Sequence, residues 1–284
     1  MLFDALRPWS WLRRLPGALL RDTRELAQRF LLARRVLLAT TRVEFSKRYA
    51  GSVLGMLWYP LYSALLLCMY CFIYMVIFKQ RLADFGSYAY VLFIFSGLIP
   101  YLGFSEAIGI AASCIKANMH LVKNTIFPVE LIPVRSVLVS LAGLAISLIV
   151  LVLMILPSQL AGWHLLYLPV PILLLLLFVL PVAWTVSALA VLIPDIVYMV
   201  NLLLLFFMFV SPIGYTLDQV PDSAHWVVLA NPMSYLIESF RYALLGMRQL
   251  PMWTDAVFAL VCIVACVFSG SLFRRLTPLF ADHE

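Results

Sequence analysis

PILLLLLFVLPVAWTVSALAVLIPDIVYMVNLLLLFFMFV, residues 171–210, contains two long apolar runs that are interrupted only by Pro194 and Asp195. Proline has no backbone N–H, and it disfavours a helical conformation in the residue before it. We therefore predict a tight turn at this point and two separate membrane-spanning helices. The alternative is one long kinked span, which would change the number of spans from even to odd.

The composition of the whole chain places these runs in a membrane. Of its 284 residues, 64% are hydrophobic and 12% are charged, and the mean hydropathy is +1.00. A soluble domain carries about 25% charged residues, and so much apolar surface requires lipid as a second apolar phase. The runs are longer than the segments of about ten residues that form transmembrane barrels. We predict an all-α polytopic membrane protein.

Six apolar runs are long enough to cross a bilayer, which takes about 20 residues per helix. They cover residues 53–78, 88–113, 131–156, 165–193, 196–214 and 255–273. These six predicted transmembrane helices form a domain of residues 51–275. The basic N-terminal region 1–50 precedes this domain, and a short cytoplasmic tail of residues 276–284 follows it.

Basic residues indicate the orientation, because cytoplasmic flanks of spans collect Lys and Arg. Eleven of the 20 Lys and Arg residues lie in the first 50 positions. The segment 114–130 between spans two and three, and the C-terminal flank, add further basic residues on the same side. Both termini are therefore predicted to be cytoplasmic.

Two segments outside the spans mix apolar and polar residues. Residues 20–49 combine Leu, Phe and Val with Arg at helical spacing, which predicts an amphipathic helix in the headgroup layer; a solvated basic tail is the alternative. Residues 215–250 form the long external segment. Its stretch ANPMSYLIESFRYALLG, residues 230–246, is short for a span, so we predict re-entrant or interfacial helices on the outer face before the last span.

Motifs for nucleotide hydrolysis and hydrolytic catalysis are absent from the sequence. It contains no Gly-Lys dipeptide of a P-loop, no H-E-x-x-H and no G-x-S-x-G. The five cysteines lie in apolar runs, where Cys behaves as a small hydrophobe, so we predict no metal site and no disulfide framework. Glu106 is the carboxylate that lies well inside a span, which leaves proton coupling as an alternative to a partner that supplies the energy.

The first span carries an unusual number of aromatic residues. At about 100° per residue, an arc of about 160° holds Trp58, Tyr59, Tyr62, Tyr70 and Tyr74. Interface anchoring explains aromatic residues at the ends of a span. It explains the deeper tyrosines less well, because buried hydroxyls require partners. Such a stripe suits a pathway for a sliding sugar chain as well as helix packing, and both interpretations stay open here.

Four segments of the chain resemble, in order, motifs of the permeases of ABC-type polysaccharide exporters. EFSKRYAGSVLGMLW, residues 44–58, resembles the family's R-Y-x-x-S-x-L-G-x-L-W signature. NMHLVKNTIFPVELIPV, residues 118–134, resembles N-x-x-L-V-x-x-x-x-F-P-x-E-x-x-P. PDIVYMVNLLLLFFMFVSPIGY, residues 194–215, and the stretch 230–246 resemble the segments that contain S-P-I-x-Y and N-P-x-x-x-x-I-x-x-x-R. The family has an Arg where this chain has Pro194.

The resemblance implies a homodimer of six-span subunits that works with two copies of a separate ATPase. The ATPase binds ATP and Mg²⁺, and this chain itself holds no cofactor. The substrate implied is a lipid-linked glycan, such as capsule, O-antigen or teichoic acid, exported across the bacterial inner membrane. Periplasmic and outer-membrane export proteins are further candidate partners, and nucleic acid is not one. The alternatives are an exporter of a smaller amphiphile (a drug or lipo-oligosaccharide) and a membrane enzyme acting on polyprenyl-linked sugars.

The resemblance also implies roles for particular residues. The segment 114–130 is expected to couple to the ATPase through Asn118, Met119, His120, Leu121, Val122, Lys123, Phe127, Pro128 and Glu130. The glycan pathway is expected along the aromatic stripe and at Glu106. An external gate is expected at Asn231, Pro232, Tyr235, Glu238 and Arg241. Cationic residues are expected where the substrate is taken up from the cytoplasm, at Arg42, Lys47 and Arg48.

Overall fold

The structure is a computed structural model that describes residues 15–48, 51–79, 86–120 and 128–281. The described residues form helices and connecting turns, without strands. The α-helices in these ranges are α1 Leu15–Arg48, α2 Trp58–Cys71, α3 Ser87–Ala117, α4 Leu131–Ile155, α5 Pro169–Leu192, α6 Ile196–Val210, α7 His225–Ala230, α8 Pro232–Leu245 and α9 Trp253–Leu276.

Five helical stretches within the described ranges are long and apolar enough to cross a membrane. They are Gly55–Ile77, Ser87–Ala117, Leu131–Ile155, Trp163–Leu192 and Trp253–Phe280. Short 3₁₀ or π segments extend α2, α5 and α9 to these lengths. The predicted class, an all-α polytopic membrane protein, is confirmed. The predicted fifth span, 196–214, contains the 15-residue apolar helix α6, which at about 1.5 Å per residue is shorter than a hydrocarbon core of about 30 Å.

The long helices alternate in direction across the bundle. At one end, called the α1 end, an apolar cluster surrounds Leu37 of α1. It contains side chains from the last turns of α3, α5 and α9 and from the first turn of α4. At the opposite, far end, the Tyr88 hydroxyl of α3 donates to the Met154 carbonyl oxygen of α4 at 2.7 Å. There the Tyr167 hydroxyl also donates to Asp255 Oδ2, in the first turn of α9, at 2.8 Å. Hence α3, α5 and α9 run toward the α1 end, and α4 runs away from it.

The segment 211–215, SPIGY, continues from α6 to the far end without being helical. Most of it is buried, and Tyr90 in the first turn of α3 donates its hydroxyl to the Gly214 carbonyl oxygen at 2.7 Å. Irregular backbone is tolerated at membrane depth only where protein groups satisfy its N–H and C=O groups. The ring of Tyr74, just beyond α2, packs against Gly214. Both α2 and α6 therefore run from the α1 end toward the far end.

The helix α3 lies at the centre of the bundle, and most of its side chains are buried. Small residues allow its neighbours to approach closely. A Cβ added at Gly103 would overlap the Leu144 side chain of α4, and Ala107 and Ala111 have no exposed surface. This close packing places polar side chains of α3 next to those of α2 and α4.

The short helix α8 is mostly buried and packs against α3 and α5. It begins at Pro232, after Asn231 accepts a hydrogen bond from the Met233 backbone N–H through its side chain at 3.0 Å, as expected of an N-cap residue. It ends at Gly246, whose φ of 70° is a left-handed conformation that glycine adopts readily. These two signals in the sequence define the helix before any packing is considered.

Candidate functional site

A cavity opens between α2, α3 and α4, next to the end of α1. Its volume is about 420 Å³, which is within the range of small-molecule sites. Its lining residues are Arg48, Trp58, Tyr59, Tyr62, Ser63, Ile99, Leu102, Gly103, Ser105, Glu106, Leu144 and Ser147. The structure thus brings together one residue predicted for substrate uptake, Arg48, with four predicted for the glycan pathway.

Arg48, Tyr59 and Glu106 form a hydrogen-bonded ion pair in this cavity. Arg48 pairs with the Glu106 carboxylate through Nη2 and donates from Nη1 to the Tyr59 hydroxyl at 2.9 Å. The Tyr59 hydroxyl also hydrogen-bonds to Glu106. The two charged side chains remain 31% and 22% exposed, so small polar molecules can reach them. Because these charges neutralise each other, the lining offers donors and acceptors without a net charge.

Close packing holds Tyr59 in this position. Its ring stacks on Phe45 of α1, with centroids 6.1 Å apart, and it lies directly against Gly143 of α4. A Cβ added at Gly143 would overlap the Tyr59 ring. A glycine in an otherwise regular helix interior is therefore required here to admit the tyrosine.

Three serines of the lining were not among the predicted site residues. The Oγ atoms of Ser63 and Ser147 lie 3.2 Å apart across α2 and α4, and Ser105 lines the same cavity. A serine in a helix usually bonds to its own backbone, so the sequence carries no signal that singles out these three. With Trp58 and Tyr62, which are 43% and 58% exposed, they complete a lining of aromatic rings and hydroxyls.

Tyr70 and Tyr74, the deeper part of the aromatic stripe, do not line this cavity. The Tyr70 hydroxyl donates to the Met208 carbonyl oxygen of α6 at 3.3 Å, and its ring stacks on Tyr74 with centroids 5.9 Å apart. Tyr74 in turn packs against Gly214. The stripe is therefore divided into a part that lines the cavity and a part that packs on α6 and SPIGY.

Asn118 anchors the beginning of the predicted coupling segment to the bundle. Its amide nitrogen donates to the Cys114 carbonyl oxygen at the end of α3, at 2.8 Å. Its Oδ1 accepts from Arg135 Nη2 of α4, also at 2.8 Å. Arg135 is buried and its Nη2 also lies 3.8 Å from Glu44 Oε2 of α1. These contacts link the segment to α4, and through Arg135 to α1.

Glu130 anchors the end of the same segment. It is 6% exposed, and its Oε1 lies 3.9 Å from Arg274 Nε near the end of α9. Its backbone carbonyl oxygen accepts a hydrogen bond from Trp184 Nε1 of α5 at 3.0 Å. Asn118 and Glu130, both predicted to contact the ATPase, are thus bonded within this chain.

The other predicted coupling and uptake residues are distributed over the surface of the α1 end or lie outside the described ranges. Met119 and Pro128 are partly exposed, and His120 is exposed. Arg42 and Lys47 are exposed on α1 and do not line the cavity. The residues outside the described ranges are Leu121, Val122, Lys123 and Phe127.

Arg241, predicted at the external gate, is 1% exposed within α8. Its Nη2 donates to the Ile213 carbonyl oxygen at 2.7 Å and to that of Pro212, and its Nη1 lies 3.3 Å from Glu238 Oε1. Its Cζ is 3.7 Å from the centroid of the Phe93 ring, a cation–π distance.

The remaining predicted gate residues lie around the same region. Asn231 Nδ2 donates to Ser211 Oγ at 2.9 Å. Pro232 occupies the start of α8. A backbone N–H at this position would have no partner within the helix, so its absence in proline costs no hydrogen bond. The Tyr235 hydroxyl donates to the Leu229 carbonyl oxygen at 2.8 Å. Together with Arg241, Asn231 braces the SPIGY segment from inside the protein.

A second buried ion pair lies at the far end and was not predicted. Arg248 donates from Nη2 to Asp255 Oδ1 at 2.7 Å and from Nη1 to Oδ2 at 2.9 Å. Oδ2 also accepts from the hydroxyls of Tyr167 and Ser239. Burial alone lowers the pKa of Arg248, but the hydrogen bonds and charge of Asp255 raise it overall. Within the described ranges, no group of three or more His, Cys, Asp or Glu side chains could hold a metal ion.

Comparison with known proteins identifies related membrane proteins. A family profile described as ABC-2 type transporter matches residues 35–245. The chain is 31% identical over 271 residues to the O-antigen export system permease protein RfbA of Myxococcus xanthus, a match that covers 93% of this chain and 99% of the relative. It is 24% identical over 254 residues to a Klebsiella pneumoniae protein of the same name, with 87% and 94% covered.

Proposed function

Because this chain belongs to the ABC-2 type transporter family, we propose that it is the permease subunit of an ATP-driven exporter of a lipid-linked polysaccharide. The observation that carries the proposal is the similarity, over 93% of the chain, to a protein named as an O-antigen export permease. The chain is a multi-pass membrane protein and a transport subunit rather than an enzyme. The family implies that a separate ATPase supplies the energy.

The proposal includes six crossings of a bacterial inner membrane, with both termini in the cytoplasm. It is supported by the alternating directions of the long helices. In this proposal, α6 and the SPIGY segment together make the fifth crossing. The α1 end, which collects basic residues such as Arg274, faces the cytoplasm. There α1 lies in the headgroup layer. The buried helix α8 enters and leaves the membrane from the outer side, as a re-entrant element.

Energy from ATP enters at the segment 114–130, which contacts the ATPase. In this proposal two permease copies assemble with two ATPase copies, and the ATPase holds ATP and Mg²⁺. The bonds that anchor Asn118 and Glu130 to neighbouring helices support this function. A displacement of the segment would be passed to α4 through the charge-assisted hydrogen bond between Arg135 and Asn118, and to α9 through the ion pair between Glu130 and Arg274.

The glycan passes the cavity that contains the Arg48–Glu106 pair. Its lining of aromatic rings, hydroxyls and a neutralised ion pair suits uncharged sugar units, because ring faces pack on Trp58 and Tyr62 while hydroxyls exchange hydrogen bonds with the polar groups. Arg42 and Lys47, exposed on α1, attract the anionic lipid head at the cytoplasmic surface. The braced region around Arg241 is the gate on the outer side.

Deletion of the gene for this chain in a strain that makes the glycan tests the function. We expect surface glycan to disappear and lipid-linked glycan to accumulate inside the cell, measured by surface staining and by extraction of the lipid fraction. Re-expression should restore export only when the ATPase is active, so a strain with an inactive ATPase is the control. Normal surface glycan in the deletion strain would contradict the proposal. Loss of drug resistance instead would favour the export of a smaller amphiphile.

A further inference from the structure

Arg135 has an incomplete set of hydrogen bonds at the α1 end of the bundle. Its side chain is 7% exposed, and among the residues that the structure describes its buried Nε has no hydrogen-bond partner. A buried N–H without a partner loses its hydration and gains no bond in return. The neighbouring Nη2 donates to Asn118 Oδ1 at 2.8 Å and lies 3.8 Å from Glu44 Oε2. Arg135 therefore faces two partners and bonds directly to one of them.

A second arrangement of the same groups would make the missing bond. Nε and Nη2 form one edge of the planar guanidinium, and a carboxylate accepts two parallel hydrogen bonds from such an edge. Glu44 is the carboxylate that faces Nη2, and its side chain is 48% exposed, which leaves it room to move. A shift of about 1 Å closes the gap from 3.8 Å to the length of a charge-assisted hydrogen bond, about 2.8 Å.

Glu44 lies one helical turn before a residue of the cavity. Arg48 follows it by four positions in the continuous helix α1, and residues four apart share one face of a helix. Arg48 pairs with Glu106 in the cavity. Phe45, next to Glu44, stacks on Tyr59, with ring centroids 6.1 Å apart. A displacement of this turn of α1 therefore changes two contacts of the cavity together.

We propose that Arg135 is a two-position switch that transmits movement of the coupling segment to the glycan cavity through α1. In the first position, Arg135 holds Asn118, as in this structure. When the ATPase displaces the segment, Asn118 withdraws and the guanidinium pairs side-on with Glu44. The last turn of α1 then shifts, and Arg48 moves relative to Glu106. Arg135 and Glu44 are positioning residues, and the inference rests on the proposed function, because the ATPase that moves the segment belongs to it.

Opposing costs balance the two positions of the switch. The first position leaves Arg135 Nε unbonded. The second position takes the half-exposed Glu44 carboxylate out of water, which offsets part of the gain from the ion pair. Neither position satisfies every group, so a modest bias from the coupling segment changes which one is populated.

Glycan exported per ATP hydrolysed by the purified permease–ATPase complex in proteoliposomes tests the switch. Glu44→Gln keeps the size of the side chain and removes its charge, and it should lower this ratio about fivefold, within the range of typical coupling between sites. The unfolding midpoint should stay at the wild-type value, because a half-exposed ion pair contributes little stability. Arg35→Gln, which removes a charge at an exposed position of the same helix, is the matched control and should keep the wild-type ratio.

Arg135→Lys separates the switch from a simple requirement for positive charge. Lysine keeps the charge but lacks the planar fork that pairs side-on with a carboxylate. The exported glycan per ATP should therefore fall about fivefold, as in Glu44→Gln. A wild-type ratio in Arg135→Lys would overturn the proposal.

The double variant Asn118→Leu with Glu44→Gln tests whether both residues act through Arg135. Effects of residues in one network are not additive, so the double variant should lose about fivefold, as each single variant does. A loss of about 25-fold, the product of two independent effects, would overturn the proposal, and so would a wild-type ratio in Glu44→Gln. Either result leaves the proposed function standing if the wild-type complex exports glycan with ATP. Absence of that export would contradict the proposed function and the switch with it.

Discussion

Arg241 Nη2 lies 2.7 Å from the carbonyl oxygen of Ile213, although the two residues are 28 positions apart in the chain. The hydrogen bond joins α8 to the non-helical segment that completes the path of α6. In a membrane, this backbone oxygen has no water to bond to, so the guanidinium donates the hydrogen bond that a backbone N–H would donate in a helix. The position of α8 and the conformation of SPIGY are therefore interdependent.

Replacing Arg241 by Ala should destabilise the protein strongly. The change leaves two buried carbonyl oxygens without donors and leaves the Glu238 charge unpaired, which costs about 3–5 kcal/mol. The measurement is the midpoint of thermal unfolding in detergent. Arg34→Ala, at an exposed position of α1, is the control and should leave the midpoint unchanged.

The double variant Arg241→Met with Glu238→Gln sharpens this experiment. Removing both charges relieves the unpaired carboxylate, so the double variant should be more stable than Arg241→Met alone. If Glu238→Gln gave no such recovery, the ion pair would not be the reason for the loss of stability.

Gly143→Ala should disrupt the cavity by displacing Tyr59. The added methyl group overlaps the Tyr59 ring, and overpacking of this kind costs about 1–3 kcal/mol. Both the unfolding midpoint and the level of exported glycan should fall. Gly109→Ala in α3 is the matched control, because its added Cβ would meet only Asn201 Oδ1, at 3.7 Å; equal effects of the two variants would refute the steric explanation.

Glu106→Gln should lower glycan export while the protein remains folded. The variant keeps the size of the side chain but loses the ion pair with Arg48, which changes the neutral cavity into a cationic one. Losing a hydrogen bond to a charged partner corresponds to about a tenfold effect, measured as surface glycan per permease molecule. Ser113→Ala, on the exposed side of the same helix, should export normally. Wild-type export by Glu106→Gln would exclude a role for the pair in transport.

Asn118→Leu should uncouple ATP hydrolysis from export. The change removes the bond to Arg135 and releases the coupling segment from α4, whereas the ATPase is untouched. Glycan exported per ATP hydrolysed by the purified complex should fall about fivefold or more, within the range of typical coupling free energies. Ser113→Ala, at an exposed position just before the segment, should keep the wild-type ratio, and an unchanged ratio in Asn118→Leu would remove the support for this route.

The sequence predicted those features for which lipid imposes a simple rule. A helix must present about 20 apolar residues to cross the hydrocarbon core, so the class and the five long apolar helices of the described residues could be read directly. The break at Pro194 was also readable, because proline restricts its predecessor. The short length of α6 could not be predicted from the sequence. An apolar run such as 196–214 does not reveal that its last residues leave the helix, or that distant side chains donate hydrogen bonds to their carbonyl oxygens.

In the candidate site, too, some features could be predicted from the sequence and others depend on tertiary contacts. Residue types suggested a role for the aromatic stripe, but periodicity places residues only on one face of one helix. Whether a face meets a cavity or another helix depends on its neighbours, and so the structure separated Tyr59 and Tyr62 from Tyr70 and Tyr74. The sequence by itself determined an all-helical membrane protein of recognisable family, because composition and local propensity act residue by residue. Only the tertiary structure decided that Arg48 meets Glu106 and that Arg241 braces SPIGY, because an ion pair in a low-dielectric bundle forms wherever helix packing brings the charges within reach.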